Sequence, residues 1–308
     1  MDRREFFEQV AAWSAGLGLA TPVFHVSSIL AAEEKSKAQP LLAVAKGKDY
    51  AALVERVLKP LGGMAAFVHQ GARVVVKPNI SFDRTPEQAA NTHPEVVKAI
   101  VQQCLDAGAK RVLVFDRPDN DARRCYAKSG IQAAVESLGD SRAACVFQDQ
   151  KKFVPVKIAR AKSIKQFEFY KDAMETDCDC YINVPVAKHH ALAKLTIGLK
   201  NIMGIIGGNR GEIHKDIHQR IADLNLVVRP KLTIVDATRI LLRNGPSGGN
   251  LDDVKVLDTL IASADPVAAD AYATTLFGMK PEEVGSTVAA AKLGLGEMDL
   301  SKVKIVEA

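Results

Sequence analysis

The densest run of side chains able to do chemistry lies between Asn183 and His218. It reads N-V-P-V-A-K-H-H-A-L-A-K-L-T-I-G-L-K-N-I-M-G-I-I-G-G-N-R-G-E-I-H-K-D-I-H and holds four of the seven histidines of the chain. Lys188, His189 and His190 follow a strand end. Neighbouring residues of an extended segment point to opposite sides, so one imidazole faces a site, and His190 is taken as the acid–base candidate. Thr196 and Lys200 stand four apart, which places them on one helix face with Ile197 and Asn201 beside them. A lysine on an otherwise apolar helix holds a buried anion or works with a depressed pKa. The bland alternative is a surface lysine whose stem covers apolar surface. His214 and His218, also four apart, would aim two imidazoles to one side of a helix, as a divalent metal requires. Lys215 follows His214, so the H-E-x-x-H pattern is absent. An anion site or a solvated face accounts for the pair equally well.

Other candidates are spread along the chain. Lys77-Pro78-Asn79 follows an apolar run, where a lysine can meet an anion and an asparagine can orient it; a plain turn is the alternative. His93 stands at a helix start, where it could cap, bind a metal or transfer protons; a structural or surface role is the bland alternative. Asp236-Ala237-Thr238 closes a strand. Gly204, Gly207, Gly208 and Gly211 surround Arg210, and amides in such a loop can cradle phosphate or carboxylate. The spacing is neither a P-loop nor G-x-G-x-x-G. The Asn244-Gly245-Pro246-Ser247-Gly248-Gly249 loop offers further amides. Asp265 reads as a helix cap, and Asp270 as an acid behind the site.

These groups need elements to hold them. Strands are expected over 41–45, 73–77, 111–115, 143–147, 153–158, 178–184, 231–235, 256–262 and 303–306. Helices are expected over 50–61, from Pro94 to Ala107, over 123–138 with a break near Gly130, and from Asp265-Pro266 and Pro281 onward. Strands alternating with helices imply an α/β fold, a mostly parallel sheet flanked by helices in a single large domain, residues 40–308. In such sheets ligands sit beyond the carboxyl ends of strands, where Lys77, Asp116, Pro185–Lys188 and Asp236 fall.

A chain of 308 residues with 47% hydrophobic and 25% charged residues has enough apolar surface to fold without a metal or disulfide. Its net charge of +5 is scattered and aromatics are few, which argues against nucleic acid and favours a small anionic ligand. The five cysteines, at 104, 125, 145, 178 and 180, form no C-x-x-C, so no iron–sulfur or zinc motif is present. Cys178 and Cys180 would share one strand face as small buried residues, with one disulfide open to an oxidising compartment.

The N-terminus, Arg3-Arg4-Glu5-Phe6-Phe7 followed by a broken apolar run, resembles a bacterial twin-arginine export signal. Residues 1–32 are then the signal and 33–39 a linker. The resemblance implies the twin-arginine machinery as a partner and a periplasmic or exported location. An uncleaved signal would anchor the chain to the membrane. Passengers of this route often hold a cofactor.

Lys77-Pro78-Asn79, Thr92-His93-Pro94, Asn183-Val184-Pro185 with Lys188 and His190, Thr196 through Lys200-Asn201 and Gly204, His214, Asp236, Gly245-Pro246 with Gly249, and Asp265-Pro266-Val267-Ala268 with Asp270 together resemble the domain of unknown function 362 family. The resemblance spans nearly all of 40–308. It implies a common pocket and leaves the activity undefined. Some members carry an added ferredoxin-like iron–sulfur module, for which this chain lacks the cysteines. The expected function is a cationic pocket for a small anionic ligand or cofactor. Lys200 and His190 are its catalytic candidates. Lys77, Asn79, His93, Lys188, Asn201 and Asp236 are its binding candidates, and His214 and His218 the ligands if a divalent metal takes part. Metal-assisted proton transfer or redox chemistry is one expectation. A non-catalytic periplasmic binding or accessory protein of a redox system is the other.

Overall fold

In the computed structural model, which describes residues 39–308, strands and helices alternate along the chain as the apolar pattern dictates. The stretches expected to be a signal (1–32) and a linker (33–39) lie, all but the last residue, outside the described residues. The order is β1 (Leu41–Lys46), α1 (Tyr50–Leu58), β2 (Arg73–Pro78), α2 (Pro94–Asp106), β3 (Arg111–Val114), α3 (Ala122–Lys128), α4 (Ile131–Glu136) and β4 (Ala143–Cys145). There follow β5 (Phe153–Lys157), β6 (Gln166–Tyr170), β7 (Cys180–Val184), β8 (Val186–His190), β9 (Lys194–Thr196), the short α5 (Gly198–Asn201) and α6 (Ile217–Leu224). The chain closes with β10 (Leu232–Leu241), β11 (Val254–Ser263), α7 (Pro266–Thr275), α8 (Gly285–Lys292) and β12 (Lys304–Glu307).

One ten-stranded sheet runs in the order β12-β1-β11-β10-β7-β2-β3-β4, with the β8–β9 hairpin attached to β10. Neighbours are parallel except where β11 meets β1 and β10, and within the hairpin. This is an α/β fold with a mostly parallel sheet flanked by helices. From β2 the chain moves outward to β3 and β4, then returns to place β7 on the other side of β2. The reversal opens a crevice beyond the carboxyl ends of β2 and β7, the usual ligand position in such sheets.

The core explains which side chains reach that crevice. Val74 and Val76 pack with Val96, Ile100 and Leu53 on one face, while Val75 packs with Tyr181 and Leu199 on the other. Strand alternation then sends Lys77 to the Val75 face. Lys77 is in register with Asn183, which shares that face with Tyr181.

Several expected elements change. Gly130, at φ 72°, splits the 123–138 helix in two. The strand expected to stop at Val235 runs on to Leu241. Strands β6, β8 and β9 are additions, so Thr196 ends a strand rather than riding a helix with Lys200. Cys178 and Cys180 do not share a face: β7 starts only at Cys180, and the two thiols enter opposite core clusters. All five cysteines are free thiols. Asp265 caps α7 by accepting from the Val267 and Ala268 amides, with Pro266 in the first turn.

Candidate functional site

The crevice holds a cavity of about 230 Å³. Its floor is a buried polar network. Asn201 Oδ1 accepts from Lys77 Nζ at 2.6 Å and from Asn79 Nδ2 at 3.2 Å, while its Nδ2 donates to Asn183 Oδ1 at 2.8 Å and to the Lys77 carbonyl at 3.2 Å. Asn79 Oδ1 accepts in turn from Lys188 Nζ at 3.1 Å. Every polar atom of Asn201 is thus used, so its orientation is fixed and it serves as the hub of the floor. Lys77 also pairs with buried Asp116 at 2.9 Å, and burial lowers the Lys77 pKa against that attraction.

Gly204 closes over this pair. A Cβ there would collide with Asp116 Oδ1 and Lys77 Cε and come within 2.5 Å of Lys77 Nζ. Gly245 has a similar reason: a Cβ would strike the His189 carbonyl, and the next residue, Pro246, lines the cavity.

The lining carries five cations, Lys77, Arg117, Lys188, Lys200 and Arg210, against one carboxylate, Asp119. Three cations are occupied. Lys77 has Asp116 at 2.9 Å, Arg210 has Asp119 at 2.7 Å, and Arg117 donates to the Ile206 carbonyl at 2.8 Å. Lys188 and Lys200 have no carboxylate within ion-pair distance among the described residues. Lys188 is 1% exposed; its Nζ donates to Asn79 Oδ1 and, at 2.5 Å, to the Ala90 carbonyl, and lies 4.7 Å from the centre of the Phe82 ring. Burial, with the Lys200 charge beside it, pulls its pKa down to about 7. Lys200 is half-buried and its amine touches the Met203 thioether at 3.6 Å. Burial lowers its pKa to about 8, Asp119 opposing.

His190 is buried in the same wall. Its Nδ1 accepts from the Leu192 and Ala193 amides at 3.1 and 3.2 Å, which leaves the ring proton on Nε2. Burial, then the Lys200 and Lys188 charges, push its pKa down to about 3, so the ring is neutral. Thr196 lines the cavity too, 3% exposed, and its hydroxyl has no hydrogen-bond partner.

The structure therefore brings Lys77, Asn79, Lys188, His190, Lys200, Asn201 and His214 to one cavity. It does not bring His93, Asp236 or His218. His93 caps α2, stacks on Tyr50 at 4.3 Å and bonds its hydroxyl at 3.2 Å. Asp236 accepts from the His93 amide at 2.7 Å and from Thr238, fixing that helix start. The expected metal pair comes apart because no single helix carries it. His214 belongs to a 3-10 turn, Asp216 breaks the chain direction at φ −150° and ψ 63°, and His218 begins α6. A Cβ at Gly285 would fall 2.6 Å from the His218 ring, which therefore faces α8. Among the described residues no three His, Cys, Asp or Glu side chains converge as metal ligands would. The Gly204–Gly211 segment is tied to its neighbours through backbone groups already in use: the carbonyls of Ile206 and Gly208 receive Arg117, and the Gly207 amide donates to the Glu168 carbonyl. Asp270 stands behind the site, accepting from the Gly198 and Leu199 amides at 2.8 and 3.0 Å.

Sequence reasoning missed Arg117 and Asp119 as lining residues. Their signal was the loop 116–121 at a strand's carboxyl end, where polar side chains gather for either reason.

The family described as Domain of unknown function (DUF362) matches residues 74–275, more than half of the chain and all of the cavity lining. A thylakoid-associated protein from Synechocystis sp. is 29% identical over 259 residues, covering 79% of this chain and 75% of its own. A protein of Thermotoga maritima with a crystal structure aligns at a TM-score of 0.46 and 13% identity over 76% of this chain. The alignment spans 60% of that protein's length, less than two thirds.

Proposed function

Since the chain belongs to the domain of unknown function 362 family, whose description leaves the activity open, we propose its function from the cavity: it binds a small carboxylate or phosphate, and Lys200 exchanges a proton with that ligand. One observation carries this reading. Two amines, Lys188 and Lys200, line one cavity, and among the described residues neither has a carboxylate within ion-pair distance. Taking an ammonium out of water costs several kcal/mol unless an opposite charge meets it. An anionic ligand supplies that charge. Lys200, at about 8, is close enough to neutral pH to hold and release a proton, which suits acid–base work. His190, bound at Nδ1 and neutral, is a donor rather than a base in this reading.

Calorimetric titration with inorganic phosphate and with glutarate tests the reading. Binding of either, weakened roughly ten- to hundredfold in Lys188→Met, is expected, the range corresponding to a charge-assisted hydrogen bond of about 1.5–3 kcal/mol. No binding of any anion to the wild type sinks it. Binding that Lys200→Met leaves intact, with no reaction in either protein, identifies a non-catalytic binding protein.

A further inference from the structure

The β8–β9 hairpin carries a feature that a general anion site does not need. Lys188 and Thr196 are directly opposite in its register, and His190 lies two residues beyond Lys188 on the same face. Opposed side chains in such a ladder start about 5 Å apart and diagonal ones about 7–8 Å apart. All three line the cavity. Their chemistry differs. Lys188 offers a charge and one remaining N–H, two being used on Asn79 and Ala90. His190 offers an uncharged Nε2–H, because two backbone amides hold Nδ1 as an acceptor. Thr196 offers a buried hydroxyl whose partner is missing. A buried polar atom left unpaired costs about 1–3 kcal/mol, a cost that a ligand oxygen reaching this hydroxyl from the cavity would recover.

On the anion reading of this cavity, we infer that His190 and Thr196 form a neutral donor pair for a carbonyl oxygen, and that the ligand class is a 2-oxo carboxylate. The carboxylate sits against Lys188 and the adjacent carbonyl oxygen against the pair. The division follows from charge. A second carboxylate or a phosphate is served best by cations, whereas a carbonyl oxygen is polarised by donors that do not surrender a proton to it. A neutral imidazole does this better than an imidazolium once negative charge builds on that oxygen. Lys200 then faces the carbon next to the carbonyl. When it takes a proton there, the C–H electron pair becomes the C=C bond of the enolate and the carbonyl pair moves to oxygen, where His190 and Thr196 hold it. Return of the proton restores the 2-oxo acid, so the step needs no other reactant.

The test compares 2-oxoglutarate with glutarate, which differ only in the oxo group, by titration calorimetry on the full chain. The wild type is expected to bind 2-oxoglutarate about fivefold or more tightly than glutarate. Thr196→Val, similar in shape but without the hydroxyl, lowers that ratio to near one. Thr196→Ser restores it, and Lys188→Met weakens both acids together. His190 is left intact because its ring also holds the β8–β9 turn; nitrogen NMR instead reports its tautomer, expected to be Nε2–H and uncharged from pH 5 to 9. Equal affinities in the wild type, a ratio untouched by Thr196→Val, or an Nδ1–H ring each overturns the inference. In those cases bound glutarate or phosphate leaves the anion reading standing. Binding of no anion removes both.

Discussion

Burial and charge conflict most sharply at Lys188, and the conflict has a measurable sign. A free lysine titrates near about 10.4, whereas the buried Lys188 amine titrates at about 7. Between those values the unfolded chain binds a proton that the native chain does not, so stability rises with pH through the window and the gain is lost as pH falls through 7. Lys188→Met removes the charge and keeps most of the length. It also strips a donor from Asn79 Oδ1 and the Ala90 carbonyl, at about 1–3 kcal/mol each, but that loss does not vary with pH. Without added anion, the melting temperature of the variant relative to wild type is expected to be more favourable at pH 6 than at pH 9. A difference that is flat or reversed shows that Lys188 is not buried as a charge. The same residue shows what single positions reveal from sequence. A lysine with two histidines soon after an expected strand end is unusual enough to be noticed. His93 and Asp236 were noticed by the same logic and serve instead as a helix cap and its brace, because the residue types suited to catalysis are also those suited to capping.

Elements decide how close the site's groups can come, and Gly204 marks the tightest approach. The short helix α5 and the 3-10 turn after it lay the Gly204 backbone directly on the Lys77–Asp116 pair. Gly204→Ala must push that pair apart or lift the turn. Breaking a buried ion pair costs about 3–5 kcal/mol, so denaturant unfolding should show a loss of that order together with loss of anion binding. A stable variant with unchanged binding means that the backbone yields there at little cost. The long periodic elements were legible from sequence: β2 from its unbroken apolar run, α2 from Pro94 and Glu95 in its first turn, α7 from Asp265-Pro266. The β8–β9 hairpin was not. Its strands span five and three residues, and its inward positions are Lys188, His190 and Thr196, so no apolar alternation announces it. A site built from polar inward-facing residues erases the pattern by which strands are recognised, which is why no strand was expected here and Thr196 was placed on a helix face with Lys200.

The whole molecule closes only when its last residues arrive. β1 pairs with β11 and β12, so Leu42 lies beside Ser263 and Ile305. Contacts this distant in sequence form late and slowly, and four of the five cysteines are buried as free thiols within the finished core. A chain threaded unfolded through a membrane would reach an oxidising compartment with all five thiols exposed. A chain folded first would carry them already shielded. On the twin-arginine reading of Arg3 and Arg4, which remains a proposal, residues 39–308 would cross as one compact unit with those thiols already shielded. Replacing both arginines, Arg3→Lys with Arg4→Lys, should then hold the protein in the cytoplasm as folded, anion-binding chain, while the wild type fractionates with the periplasm or its membrane. Equal distribution of the two proteins rules the route out. Retention of the variant as unfolded or disulfide-linked chain would instead show that the segment contributes to folding.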